Sequence, residues 1–522
     1  MDLSRECSFQ IITWYQEDFE KREDSDDEDS DSDDSSTTSY KFQKNESKYT
    51  IYVFGKDMDE KTYCLKIEDF TPYFYVKVPD HVEKKHLASF SNWVSDNMWK
   101  KNKGCLLRCT LHKKKRFRDF DRGKEYKYIR LVFSNTKAMK NAMGLFQNRE
   151  YNPVTKRMNT SEKKVYIPSI IGKPYVYELS DNMIDPLLKF IHHKDITTVG
   201  WIKLKPGKYF VDDETSTTCN YNLKTKWTNV KAVTEDRDNS KIKVLCYDIE
   251  CDSSHGDFPV PKKDYLKLAR DIYNYFMKVE SKEKISDKGK FLLDCINCAF
   301  KDGDEKKDIG KIYTKSDVKP HKRVISDVVN KLKTYLCLSD SSNSIQIKSH
   351  NTRVINTLKK YFDNSFPPVE GDRTIQIGIS MLKYGEKIPY KNYMLTLGGC
   401  KKLDNCKTIS YEREEDLLMQ FRNIIQKENP DIITGWNTDG FDTPFLFKRA
   451  EELGIEEDFC KMSKFADFES NLKEKQKKGP TGQLIKIEFV DIPGRIQMDL
   501  MPLVQKSQNL DSYKLDAVSA EF

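Results

Sequence analysis

The apolar positions of this chain group into short runs, and the spacing of those runs changes near residue 240. Before that point the runs are strand-like. Ser8-Phe9-Gln10-Ile11-Ile12-Thr13-Trp14 predicts a first strand, and residues 49–55 and 62–67 predict two more around the turn-rich Lys56-Asp57-Met58-Asp59-Glu60. Phe70-Thr71-Pro72-Tyr73-Phe74-Tyr75-Val76 and Tyr128-Ile129-Arg130-Leu131-Val132-Phe133 read as further strands. Residues 81–99 read as an amphipathic helix, 136–147 as a short one, and a third helix lies near 180–193, ahead of Thr198-Val199-Gly200-Trp201-Ile202. The polar stretch 213–240 reads as a linker.

Beyond it, strands alternate with helices. Val244, Leu245, Cys246, Tyr247, Ile249 and Cys251 form a run expected to be a strand buried on both faces. Gly256-Asp257-Phe258-Pro259 predicts a turn, and residues 262–366 form a Lys-rich insertion with helical periodicity. Strands follow at 371–379 and 393–397, then a helix at 412–427 that ends before Asn429-Pro430, a strand at 431–436, and a helix at 443–450 with Pro444 in its first turn. This alternation predicts an α/β layer over 241–522, behind a β-rich α+β module.

Composition adds a charge asymmetry. Residues 17–36 hold twelve acids and two bases, so this tract carries −10 while the chain as a whole carries +7. The tract shows no apolar periodicity, which predicts a disordered tether over 17–39. The basic remainder suits a polyanionic partner or simple solubility. Lys113-Lys114-Lys115-Arg116-Phe117-Arg118 is the densest basic run, readable as a hairpin tip, a nuclear address or a phosphate contact. Thirteen cysteines without a framework spacing favour reduced thiols and an intracellular setting. Cys295-x-x-Cys298 lacks two further ligands for a zinc site. No run approaches the roughly 20 apolar residues of a membrane span, and the charged start Met1-Asp2-Leu3-Ser4-Arg5-Glu6 is not a signal peptide.

Candidate chemistry lies in the second half. Asp248 and Glu250 are two apart on a strand, so they share a face. Adjacent carboxylates repel, and hard divalent cations such as Mg²⁺ or Mn²⁺ compensate them. A strand end emerging into solvent explains the same pair. Asp442 sits at a strand–loop–helix junction, where it reads either as a helix cap or as a third carboxylate for a site with two ions. In the same loop, Phe441 suits stacking on an unpaired base or core packing, and Asn437 suits hydrogen bonding to a strand end.

Together these segments resemble family B DNA polymerases. Tyr247-Asp248-Ile249-Glu250-Cys251 with Gly256-Asp257-Phe258-Pro259 is similar to the first proofreading-exonuclease motif of that family. Asn429-Pro430-Asp431-Ile432-Ile433-Thr434-Gly435-Trp436-Asn437 through Phe441-Asp442 is similar to the second. Gly494-Arg495-Ile496-Gln497-Met498-Asp499-Leu500 and Ser512-Tyr513-Lys514-Leu515-Asp516-Ala517-Val518 resemble the stretch between the second and third motifs. Residues 70–76 and Gly200-Trp201-Ile202 resemble the amino-terminal domain of delta-type members.

The resemblance implies a ribonuclease-H-like exonuclease domain over 241–522. A polymerase amino-terminal domain would span 40–240, with the first strand region at 1–16. It implies Asp248, Glu250 and Asp442 as catalytic, metal-ligating carboxylates for two Mg²⁺ (or Mn²⁺) ions, and Asn437 and Phe441 as contacts to the DNA 3′ end. The implied activity is 3′→5′ hydrolysis of mispaired primer ends within a replicative DNA-directed DNA polymerase, in the nucleus or at a viral replication site such as that of a large DNA virus. The implied partners are primer-template DNA, a single-stranded 3′ end, a sliding clamp and accessory subunits, and dNTPs for the full-length polymerase only. The family's third motif, Tyr-x-x-x-Asp, does not follow the second motif in this sequence: Tyr513-x-x-Asp516 has another spacing. The palm acids are not in it either, so the chain is expected to be the amino-terminal portion of a polymerase and weak or inactive alone. A non-catalytic DNA-binding or scaffold fragment and a stand-alone exonuclease are the alternatives.

Overall fold

In the computed structural model the chain divides into two units. The first comprises Met1–Ile242 with Lys464–Asp467 and Pro493–Ile496, and the second comprises Lys243–Ser463, Phe468–Ile492 and Gln497–Phe522. The structure describes residues 3–19, 47–116, 122–152, 157–235, 237–253, 258–301, 306–339, 343–478 and 484–522. Most of the acidic tract, Phe117 and Arg118 of the basic run, and Gly256 and Asp257 of the expected turn lie outside the described residues.

The first unit is built on a seven-stranded and a four-stranded sheet. Its first strand, Cys7–Phe19, is longer than the apolar run that announced it and takes in Glu17 and Asp18 of the expected tether. The reason is local pairing: Asp18 accepts hydrogen bonds from the backbone N–H of Thr136 (2.8 Å) and Lys137 (3.0 Å) and from the Thr136 hydroxyl (2.7 Å). The expected linker 213–240 also contains structure. Tyr221–Lys226 pairs in parallel with Thr62–Glu68, and Lys231–Ala232 closes the far edge of the same sheet. Leu223 and Thr225 of that strand are buried, a pattern of two inward residues that its polar neighbours obscured. The helices expected at 81–99 and 180–193 are shorter, at Leu87–Asn97 and Pro186–Lys194. The second of these starts where Asp185 accepts from Leu187 N–H at 2.8 Å and Pro186 takes the first turn.

The second unit holds a six-stranded sheet. Its strand order is Lys407–Tyr411, Lys391–Leu397, Thr374–Lys383, Lys243–Cys251, Ile432–Gly435, Ile496–Asp499. The strand Lys243–Cys251 was expected to be buried on both faces and is not. Leu245, Tyr247 and Ile249 are buried, whereas Cys246, Asp248 and Glu250 are exposed. The helices Glu414–Glu428 and Asp442–Leu453 send Leu417, Phe421, Ile425, Phe445 and Leu446 into the same core as those three strand residues, which accounts for the buried face. The residues 472–490 contain a hairpin, Leu472–Lys478 with Leu484–Val490, that the sequence pattern had not announced.

The insertion is a helical body with its own core. Leu266–Glu280, Lys288–Ala299, Lys322–Leu332 and Ser344–Ser365 contribute Leu268, Ile272, Phe276, Ile296, Leu332 and Leu358, among others, to it. Cys295 and Cys298 are buried there as apolar residues, with burial pushing the Cys295 thiol up to about 12. Salt bridges tie the insertion to the sheet layer: Lys263 with Asp372, Lys262 with Glu451 (2.7 Å) and Lys315 with Glu452 (2.7 Å).

One buried ion pair fastens several segments. Arg449 donates to Glu414 from Nε (3.1 Å) and Nη2 (2.5 Å) and to the Pro261 carbonyl from Nη1 (3.1 Å). Glu414 also accepts from Thr374 N–H at 2.7 Å. Removing one member of a buried pair strands the other charge. Arg449→Met is therefore expected to lower stability by about 3–5 kcal/mol, with Arg449→Met/Glu414→Gln recovering much of the loss. Urea unfolding measures both, and equal losses would contradict the assignment.

Candidate active site

Two parallel strands bring the candidate carboxylates to one edge of the sheet. Val244 lies opposite Ile432 and Cys246 opposite Thr434, so both strands run out at the same end. Gly435 permits their close approach: a Cβ there would stand 2.5 Å from the Tyr247 carbonyl oxygen and 2.5 Å from Thr438 Cγ2. On the other side, Thr374–Lys383 runs antiparallel, with Gly378 opposite Asp248 and Gln376 opposite Glu250.

The loop that follows Gly435 is shaped by its own backbone and by Asp499. Asn437 adopts a left-handed conformation (φ 60°), and its carbonyl accepts from Gly440 N–H (2.9 Å) and Phe441 N–H (3.0 Å). Asp499 accepts from Asn437 N–H (2.9 Å) and Asp439 N–H (3.2 Å), while also capping the helix Leu500–Ser507 through Met501 N–H (3.0 Å). Beneath the loop, the Tyr247 hydroxyl lies 2.7 Å from Thr443 Oγ1, and Gln497 Nε2 reaches Thr443 Oγ1 and Asp439 Oδ1 at 3.4 Å each.

Asp442 is the first residue of its helix, and Phe441 occupies the cap position without a side-chain hydrogen bond. The Asp442 carboxylate turns instead to the neighbouring strand, where Oδ1 accepts from Ile249 N–H at 3.1 Å. Asp248 stands close enough for its charge to act on Asp442. Two neighbouring carboxyl groups disfavour simultaneous ionisation. Burial first, and the Asp248 charge second, push Asp442 up to about 7. Partial desolvation raises Asp248 too, although its side chain remains open to solvent. Asp439 rises to about 6 through burial and the charge of Asp499. Negative charge is thus concentrated and under-compensated at this edge, which is the electrostatic demand that a hard cation with oxygen ligands meets.

Of the residues singled out in the sequence, Asp248 and Asp442 are brought together at this edge. Glu250 is exposed on the same face of the strand as Asp248. Among the described residues no group of three His, Cys, Asp or Glu side chains closes to metal-binding geometry. Asn437 and Phe441 are both half-buried in the loop that carries Asp442. Phe441 packs on the core through Phe445 (ring centroids 5.3 Å) and meets the exposed Phe258 edge-on at 5.2 Å. Sequence reasoning gave no role to Asp439, Gln497 or Asp499. Their carboxyl and amide groups meet only through the fold, since Asp439 and Asp499 are sixty residues apart.

Residues 176–335 and 313–518 match the family described as DNA polymerase family B, exonuclease domain. The chain is 29% identical over 557 residues to a DNA polymerase of Pyramimonas orientalis virus, an alignment covering 100% of this chain and 42% of that protein. It is 28% identical over 561 residues to a DNA polymerase of Phaeocystis pouchetii virus, covering 92% and 52%. Against the DNA polymerase delta catalytic subunit of Dictyostelium discoideum it is 22% identical over 481 residues, covering 90% and 32%. The chain thus spans half or less of the length of these relatives, to within a few per cent.

The carboxyl pair makes a thermodynamic prediction for the metal-free chain. Below about pH 4 Asp442 is protonated both folded and unfolded. As pH rises toward 7 the unfolded carboxyl ionises while the folded one resists, so stability falls, and the loss is complete above the folded value. Asp442→Asn is therefore expected to raise stability at pH 8 in EDTA by about 1–3 kcal/mol and to have little effect near pH 4. Thermal unfolding across that range checks it, and a pH-independent effect would contradict it.

Proposed function

This chain belongs to DNA polymerase family B, whose exonuclease domain it carries, and from that membership we propose that it supplies the 3′→5′ proofreading part of a replicative DNA-directed DNA polymerase. The convergence of Asp248 and Asp442 on one sheet edge, with Asp442 held by the Ile249 N–H, carries this reading. The five strands from Lys391–Leu397 to Ile496–Asp499 run 3-2-1-4-5 in order of appearance, with strand 4 parallel to strand 1, which supports a ribonuclease-H-like assignment for 241–522. The first unit then corresponds to the polymerase amino-terminal domain.

In this proposal Asp248, Glu250 and Asp442 would hold two Mg²⁺ or Mn²⁺ ions. Such ions, when bound, supply an activated water and neutralise charge on the phosphate undergoing cleavage. The proton that Asp442 retains near neutral pH would be released on taking up a cation. The Ile249 N–H fixes the direction of the Asp442 carboxylate, and Asp499 fixes the loop carrying Asn437. Phe441 and the exposed Phe258 offer an aromatic surface to the unpaired 3′-terminal base, and Asn437 a hydrogen-bonding amide. Primer-template DNA is the substrate class. The dNTPs, the clamp and the accessory subunits belong to the proposed full-length polymerase, at the nucleus or a viral replication site. No helix among the described residues is long and apolar enough to cross a membrane.

The lack of a three-ligand group among the described residues favours, as a second reading, a chain that binds DNA ends without cutting them. Two measurements on the whole chain separate the readings: Mn²⁺ binding, and trimming of a 5′-labelled single strand in Mg²⁺. Proofreading chemistry at this site predicts Mn²⁺ binding and trimming, however slow, both lost in Asp248→Ala and in Asp442→Ala. Trimming undiminished in Asp248→Ala would overturn the assignment, and the absence of both Mn²⁺ binding and trimming would favour the second reading.

A further inference from the structure

The helical insertion presents a groove that neither the sheet layer nor its own core uses. It holds about 830 Å³ and is lined mainly by one face of Ser344–Ser365, with Tyr335 contributed from the segment after Lys322–Leu332. Along that helix Ile345, Ser349, Thr352, Asn356 and Lys360 recur at three- and four-residue steps, which places them on one stripe. Val354, Leu358 and Phe362 occupy a separate stripe in the core.

The charges on this helix are sorted. It carries four bases, Lys348, Arg353, Lys359 and Lys360, and one acid, Asp363. Lys359 pairs with Asp363 (2.6 Å) and with Asp264 (3.0 Å), and Asp363 also accepts from Tyr265 N–H (3.1 Å). The other three bases line the groove, and no carboxylate lines it. Lys348, Arg353 and Lys360 are exposed, and no ion pair joins them to another described residue. Between residues 262 and 366 there are 23 Lys and Arg against 14 Asp and Glu, so the surroundings add to the positive field rather than cancel it.

We propose that this groove binds the phosphate backbone of DNA, making the insertion a second DNA-contacting surface. Identifying the polyanion as DNA rests on the proofreading reading above; the positive groove itself does not. Lys348 to Lys360 spans about 18 Å of helix, comparable to the rise of about five phosphates along one strand. Ser349 and Asn356 add neutral donors of the kind that fix phosphate oxygens. Tyr335 and Tyr361, with ring centroids 6.4 Å apart, stand in the groove wall, where an unpaired base can stack.

The test uses the whole chain in EDTA, so that neither cutting nor the carboxylate site affects the readout. Binding of a fluorescent 30-nucleotide single strand and of a 30-base-pair duplex is followed by anisotropy from 50 to 200 mM NaCl. The variant Lys348→Glu/Arg353→Glu/Lys360→Glu is compared with Lys282→Glu/Lys284→Glu/Lys290→Glu, an equal charge change at exposed positions outside the groove. The groove variant is expected to bind at least about tenfold more weakly and to flatten the salt dependence by about two to three units of log–log slope, with the control near wild type. Loss on the single strand alone assigns that form, and loss on both assigns the backbone irrespective of pairing. Equal losses in the two variants, or none in the groove variant, would overturn the proposal. So would a wild-type chain that binds a peptide of residues 17–36 in this groove and no DNA. Lys348→Gln/Arg353→Gln/Lys360→Gln repeats the test if the reversed charges disturb folding, which circular dichroism reads. Because EDTA silences the carboxylate site, loss of trimming in the preceding experiment and loss of binding here fail independently.

Discussion

A carboxylate that is 3% exposed, with another carboxylate as its neighbour, opposes folding, and the second unit is arranged around holding Asp442 in that position. The helix that begins at Asp442 buries Phe445, Leu446, Phe447 and Ala450, which offsets the electrostatic penalty with apolar burial. The strand beside it contributes Ile249 N–H to the carboxylate, while its own Asp248 faces the same place. The strain is directed: proton uptake or cation binding relieves it, and nothing else among the described groups carries the opposite charge there.

Around this pair the structure spends its rigid elements on position. Parallel pairing puts two strand ends at one edge, and Gly435 lets them approach closely enough for the following loop to fold back over Tyr247 and Thr443. Asp499, arriving from a strand more than fifty residues later, accepts two N–H groups of that loop and so couples its shape to the far side of the sheet. An irregular loop fixed by backbone donors loses less order when a ligand arrives than one held only by side chains.

The insertion shows how a long excursion can leave this edge undisturbed. It departs after the Asp248 strand and returns just before Thr374–Lys383, the neighbour of that strand, with the Thr314–Val369 bridge and the Tyr313–Glu370 hydrogen bond near its base. The entropic cost of such an excursion grows only slowly with length, and an independent apolar core stabilises it. The helices thus present a basic surface to solvent without altering the register between Asp248 and Gly378.

The sequence by itself determined the order of strands and helices through 371–450 apart from the strand Lys407–Tyr411, the shared face of Asp248 and Glu250, and the family likeness. Each of these follows from local periodicity or from the identity of residues a few positions apart. It misread the Asp248 strand as buried on both faces, because apolar content cannot say that helices will cover only one side. It also missed Tyr221–Lys226, whose two inward residues count only once Thr62–Glu68 lies beside them. Tertiary structure alone decided that Asp442 turns from capping its helix to accepting from Ile249, and that Asp499 holds the Asn437 loop. Both depend on which backbone N–H groups are left unpaired when distant strands come together, and no stretch of chain carries that information alone.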